Sequence, residues 1–596
     1  MADERVVRIG GASGFWGDSS VAAPQLVAAG IDYLVFDYLA ELTMSIMAGQ
    51  RAKNAELGYA TDFVTVAMKS VLREVVTKRI KVVSNAGGLN PHACAAALAI
   101  LAKEMGVAVR IGVVTGDDVL AQTDELRASG TCDLITGKPL PGRLMTANAY
   151  LGAMPIKAAL DAGADIVVTG RSVDSAVTLG ALMHAFGWRD TDHDLLAQGS
   201  LAGHIIECGC QATGGLHTDW ERVPDWANIG YPIVECRADG SFAVTKPPGT
   251  GGIVYPPAIA EQILYEIGDP ARYILPDVMC DFTGVRLIEA GADRVEVSGA
   301  RGLPPTDTHK VSATYMDGYR CSAQLTIIGF DAAAKARRTG EAILARTRGI
   351  FAKAGFADYV ATNIEVLGAE SIWGPHASEA AQSIREAVMR VSVMHSDRRA
   401  LEIFAREVAP AGTSWSPGTT GGGMTRPDPL PCIKQSAFLV DKARVHPGVL
   451  VDGVEVQLPR LTPAAGTRAT LPLSAPVDAV APPADAVTVP LVRVAYGRSG
   501  DKGDISNIGI IARRPELLPY LRSELTEARV AAHLSHLVKG KVTRYDLSGL
   551  HAMNFVCGEA LGGGGAASLR NDPLGKGMAQ ILLAMPVKVP RELLGN

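Results

Sequence analysis

The chain has 596 residues, with 57 Lys and Arg against 62 Asp and Glu, a net charge of −5. Hydrophobic residues make up 47% and charged residues 20%, which fits a large packed core and excludes a disordered chain. No basic stripe stands out, so a nucleic-acid partner is not expected.

Nine scattered cysteines, an odd number, read as reduced thiols of a cytoplasmic protein. The opening MADERVVRIGG lacks the basic and then apolar regions of a signal peptide. The longest apolar run, Cys94 to Ala102, falls well short of the ~20 residues that span a bilayer. A cytoplasmic protein with no membrane partner is the expectation.

Through residues 1–280, short apolar runs alternate with helical spacing. Strands are predicted at Arg5–Ile9, Tyr33–Phe36, Ile80–Val83, Val107–Val114 and Asp165–Val168. Helices are predicted at Val21–Ala29, Asp62–Lys78, His92–Lys103 and Ala149–Ala162. This alternation argues for an α/β domain built on a parallel sheet. From 281 to 455 the texture becomes mixed α+β, with strands in KVSATYMDGYRCSAQLTIIG and helices at Asp331–Ala354 and Ser378–Val391. Residues 456–490 are rich in Pro and Ala and read as a semi-extended linker. Residues 491–596 form a small α+β module, with strand-like LVRVAY, NIGIIA and ILLAMPVKV around a helical Pro515–Leu537.

Open parallel sheets bind ligands beyond the carboxyl ends of their strands, so strand-ending loops carry the functional reading. The first runs from Gly10 through Gly14 to Asp18 and is followed by a strand ending at Asp37. Three readings stand open for it: a dinucleotide turn, an anion or thioester cradle, or a tight turn with a core-facing Phe15-Trp16 pair. The glycine spacing is not G-x-G-x-x-G. Three further loops hold Asn85, Gly87 and Gly88, then Asp117, then Arg171 and Asp174. Small residues with backbone donors beside Asn, Asp and Arg suit a polar ligand.

GHIIECGCQATGG places His204, Glu207, Cys208 and Cys210 within a few residues. His204 and Glu207 stand at i and i+3, where a helix would put them on one face as an acid/base pair. Cys208 reads either as a nucleophile or as a small buried hydrophobe. No second Cys pair completes a structural zinc site, and no metal is predicted. Glycine-rich 416–423 followed by Arg426 reads as a loop. In the last module GRSGDKGD carries Arg498, Asp501 and Lys502, dense in charge for a plain turn, with no P-loop pattern.

These strings together resemble a known family, the acyclic terpene utilisation AtuA family. The resemblance rests on GGASGFWGDS, SNAGGLNP, VVTGDD, VVTGRSVDSAVTLGALMHAFGW, GHIIECGCQATGG, DPARYILPDV and GRSGDKGDISNIG, and it covers nearly the whole chain. It implies a large AtuA domain followed by an AtuA-like module of ferredoxin-like fold. It also implies a setting in acyclic terpene or branched-acid catabolism, with the acid carried as a coenzyme A thioester and no other cofactor.

The chemistry expected is addition or removal of water beside an activated carbonyl. Asp37, Asp174, His204, Glu207 and Cys208 are the candidate catalytic groups. Gly14, Asp18, Asn85, Gly87, Gly88, Asp117, Arg171, Arg498, Asp501 and Lys502 are the candidate substrate contacts. Two alternatives remain: a non-catalytic scaffold or regulatory partner of an acyl-CoA carboxylase, and an NAD(P)-linked oxidoreductase. A chain this large and apolar-rich is expected to form a homo-oligomer.

Overall fold

The computed structural model describes residues 5–421, 426–459 and 478–594. Much of the predicted linker (460–477) and part of the 416–423 loop with its following residues (422–425) lie outside the described residues.

Five parallel strands make the centre of an eleven-stranded sheet: β1 (Val6–Gly11), β2 (Tyr33–Phe36), β3 (Lys81–Ser84), β4 (Ile111–Thr115) and β6 (Ile166–Thr169), in the order β1-β2-β3-β6-β4. The skipped strand β5 (Thr146–Ala149) leaves this sheet for a second one. Side chains alternate between two cores. Val82, Val113, Ile166 and Val168 point to one, and Val83, Val114 and Val167 to the other. Both faces are covered, which is why the strands read as nearly unbroken apolar runs.

Helices Ala22–Ala28, Lys69–Lys78 and Pro91–Met105 cover the first face. Helices Met154–Asp161, Ala176–Phe186 and His193–Ile206 cover the second. The sequence explains helix Pro91–Met105 end to end. Asn90 Oδ1 accepts from Ala93 N, proline opens the first turn, and Gly106 closes the last at φ 65°.

Antiparallel strands flank this centre. β7 (Ile233–Arg237) pairs with β1, β8 (Phe242–Thr245) follows, and strands Val295–Ser298 and Arg286–Glu289 extend that side. At the other end Gly448–Val451 pairs with β4. Residues 281–455 therefore feed both edges of the first sheet as well as a second sheet.

The axis of the second sheet is a single 21-residue strand, Thr308–Ile328. Its first half pairs with β5 and Leu430–Asp441, and its second half with Glu386–His395. The helix predicted at Ser378–Val391 is instead a short 3-10 turn, Glu379–Ser383, followed by that last strand. Ala387, Met389, Val391 and Val393 alternate into the core, so the period-two pattern outweighs the helix propensity of the Glu-Ala stretch.

The last module is a four-stranded antiparallel sheet of two hairpins, Ala495–Lys502 with Ile505–Ala512 and Val542–Leu547 with Ala552–Cys557. Two expected strands there begin later. Leu491–Arg493 is a 3-10 turn, and Met578–Leu583 is helical before strand Pro586–Val589. One face of the sheet carries the module's own core. The other packs on residues 264–268 through buried amides: Asn507 Oδ1 accepts from Glu266 N at 2.9 Å, and Asn554 Nδ2 donates to Ile267 O and Gly268 O.

A histidine cluster marks another seam of this module. His376 stacks on His533 with 4.0 Å between ring centres, and His536 stands edge-on at 5.7 Å. Burial holds His533 and His536 below the usual imidazole range, and each other's neighbours, with Arg529, Lys539 and Arg570, act in the same direction. Imidazoles that bind protons less readily when folded give stability that is present above about pH 6.5 and lost as pH falls through the folded values. Thermal scans should show a melting temperature that holds from pH 8 to 7 and then declines below about pH 6. His536→Gln should flatten that decline.

No helix among the described residues is long and apolar enough to cross a membrane.

Candidate active site

Parallel strands deliver their ends to one side of the sheet, and three of them bring polar groups to the same crevice. Asp37 follows β2, Asn85 follows β3, and Arg171 and Asp174 lie in the loop after β6. Asn85 is fixed between neighbours: its Oδ1 accepts from Tyr38 N at 2.8 Å, and its Nδ2 donates to Asp37 Oδ1. Burial pushes the Asp37 carboxyl well above the ordinary range. Asp174 and Glu207 add to the shift, against the opposing pull of Arg171.

Among the described residues Arg171 is the largest wholly buried side chain, 2% exposed. Its Nη1 donates to Asp174 Oδ1 at 2.9 Å and to Leu39 O at 2.8 Å, while the guanidinium lies 4.2 Å over the Tyr150 ring. Its Nε has no hydrogen-bond partner among the described residues. Tyr150 in turn donates its hydroxyl to Glu41 Oε1 at 2.7 Å, and Lys310 Nζ lies 3.7 Å from the same oxygen.

His204 and Glu207 are in contact, as their spacing predicts, with Nδ1 2.9 Å from Oε1. The other ring nitrogen faces the Ile263 carbonyl at 3.1 Å and must carry hydrogen. One further proton is therefore needed in the Nδ1–Oε1 contact, on either partner. The electrostatics agree with this: burial lifts Glu207 to about 7 against the pull of His204, and Glu207, the Ile263 carbonyl and Glu266 together outweigh the burial that would lower His204. Cys208 is different. Burial, with Glu207 and Glu266 nearby, drives its thiol far up, which opposes a thiolate nucleophile. All nine cysteines are free, and no three His, Cys, Asp or Glu side chains among the described residues form a metal-holding group.

The last module supplies a further wall. Hairpin Ala495–Lys502/Ile505–Ala512 projects Lys502, whose ammonium is 4.0 Å from Glu266 Oε2. Glu266, Tyr273 and Glu41 keep that ammonium charged despite its surroundings. Burial and Glu266 raise Asp501 to about 7, with Lys576 opposing from 3.7 Å. Lys576 donates to the Tyr265 hydroxyl and, with Arg498, lies over the Tyr265 ring. Arg498 also donates to Gln211 Oε1.

The remaining candidates shape the crevice from behind. Asp18 accepts from Gly14 N at 2.9 Å, Ser19 N at 2.7 Å and the Tyr231 hydroxyl at 2.7 Å, so its oxygens hold the first loop closed. A Cβ at Gly14 would stand 2.8 Å from the Cys208 backbone, which is why bulk is refused there. With the Gly14 amide given to Asp18, that loop offers little to a pyrophosphate. Gly87 allows β3's loop to approach Thr169 O, and Gly88 turns the chain at φ 52° above Met47. Asp117, raised by burial to about 6, accepts from Arg171 N and Asn148 Nδ2 and so supports the Arg171 loop.

Glu41, Tyr150, Tyr265, Glu266 and Tyr273 belong to the crevice without having been singled out in the sequence. Glu41 carried a usable signal, an acid four residues beyond Asp37 at the start of helix Glu41–Lys53. Glu266 carried none. It adopts the left-handed region at φ 59°, a conformation that side chains other than glycine enter only when neighbours impose it.

Comparison with known proteins bears on the whole chain. Residues 7–451 match the model of the acyclic terpene utilisation family protein AtuA, and residues 489–588 match the AtuA ferredoxin-like domain. No curated protein and no solved structure matches the chain. The first match covers well over half of the sequence and includes every strand-end loop of the crevice except the hairpin supplied by the second. The chain belongs to the acyclic terpene utilisation AtuA family.

Proposed function

We propose that the protein is an acid–base enzyme that adds or removes water beside the activated carbonyl of a branched acyl thioester, with coenzyme A as carrier. The observation that carries this reading is a set of carboxyl groups in one crevice held at different protonation. Burial and the nearby Asp174 push the Asp37 carboxyl up, toward the form that can donate a proton, while burial lifts Glu207, beside His204, to about 7. In the dehydrating direction Glu207 takes the proton from the carbon next to the thioester. The hydroxyl on the following carbon leaves with the proton of Asp37, and the two losses together make one water. Arg171 and Lys502 supply positive charge for the enolate that forms as the first proton departs.

Incubation with branched 2-enoyl- and 3-hydroxyacyl-CoA thioesters in ¹⁸O-labelled water tests this by mass spectrometry. Gain of one labelled water by a 2-enoyl thioester, or loss of one water from a 3-hydroxyacyl thioester, is the expected result. Binding of a thioester with neither water exchange nor loss of its α-proton to solvent would remove the reading. The rate should rise with pH through about 7, as Glu207 gives up its proton.

A further inference from the structure

Lys310 takes no part in the water chemistry, yet it occupies an unusual place in the crevice. It lies on the first half of the long strand Thr308–Ile328, where the paired β5 brings Tyr150 beside it; Tyr150 N donates to Lys310 O at 2.9 Å. Its ammonium sits 4.9 Å from the centre of the Tyr150 ring, the ring that Arg171 also faces at 4.2 Å. Lys502 approaches the same group of side chains from the last module. Three cations thus share the neighbourhood of Glu41, with Asp174 beyond it, and Lys310 holds Glu41 only at 3.7 Å. Its side chain is 29% exposed.

We propose that Lys310 is an imine-forming lysine that condenses with the ketone of a small oxo acid. The amine nitrogen adds to the carbonyl carbon, and the carbonyl oxygen leaves with the two amine protons as one water, forming a C=N bond. Glu41, held ionised by Lys310, Lys502 and Arg171, relays the proton from nitrogen to the departing hydroxyl. The carboxylate of the acid meets the Arg171 and Lys502 charges. Such an amine must be neutral to attack, and a lysine crowded by other cations meets that condition. Burial and the two neighbouring cations bring Lys310 down to about 8. This inference does not depend on the thioester reading, since it concerns a free ketone and a different residue.

The full-length protein is incubated with pyruvate, acetoacetate or 2-oxoglutarate and sodium cyanoborohydride, then digested for peptide mass spectrometry. One reductively attached acid on Lys310 is expected with at least one of the three, and none in Lys310→Arg, whose fold is checked by circular dichroism. Lys502→Met should slow trapping at pH 7 by at least about tenfold for each pKa unit the amine regains, because the acid also loses one of its two cationic contacts. Absence of any adduct, or adducts spread over surface lysines with Lys310 unmodified, overturns the proposal. A second measurement needs no acid: competitive acetylation across pH should give Lys310 a midpoint near 8, and a midpoint shared with exposed lysines also overturns it.

Discussion

Asp37→Asn should lower turnover by about 10²–10⁴-fold while making the folded protein more stable at neutral pH. The two effects have one cause. The fold holds this carboxyl among Asp174, Glu207 and apolar walls, where its charged form is disfavoured. A group whose folded pKa is raised contributes stability below its unfolded value of about 3.9 and loses it as pH rises through the folded value. Asparagine keeps the acceptor for Asn85 Nδ2 and has no charge to suppress. Urea titrations of the two proteins should therefore coincide near pH 4 and diverge toward pH 8, with the variant more stable. Equal stability at both pH values would mean that Asp37 is an ordinary carboxylate and not a poised acid.

Arg171→Met should destabilise the protein by about 3–5 kcal/mol, the range found when one partner of a buried ion pair is removed. The guanidinium bridges Asp174, the Leu39 carbonyl and the Tyr150 ring, and its loss leaves all three without a replacement. Lysine should not rescue it. A single ammonium cannot hold the carboxylate and the carbonyl while lying flat on an aromatic face. Denaturation midpoints of Arg171→Met and Arg171→Lys, with unchanged slopes, are the measurement. A midpoint near wild type for Arg171→Lys would show that charge alone is required there.

Strand-end residues were readable in the sequence because a parallel sheet makes their placement a consequence of order. Once β2, β3 and β6 are recognised, Asp37, Asn85, Arg171 and Asp174 have to emerge on one side. The His204–Glu207 pairing was readable for a similar reason, since helix geometry alone brings i and i+3 together. Lys310 opens the predicted strand KVSATYMDGYRCSAQLTIIG, and nothing local says what it faces. Only the pairing of Val311 with Ala149, far apart in the chain, puts it beside Tyr150. Glu266 was hidden for a related reason: the Asn507 side chain that holds its amide comes 241 residues later. The charge cluster around Lys502 stood out as dense, but nothing local says that its hairpin completes a crevice built by another part of the chain.

The way the first sheet is finished has a consequence for the chain as it leaves the ribosome. Strand Gly448–Val451 covers the free side of β4, and Asp452 then bonds Arg110 Nε and Ile111 N at 3.0 Å each. Ile111 waits 341 positions for that partner. At bacterial or eukaryotic elongation rates the wait is roughly 20–70 s, during which β4 presents an open, apolar strand edge. Nascent chains halted between residues 115 and 448 should accordingly be the aggregation-prone and chaperone-bound species of this protein, and release past residue 455 should end that exposure.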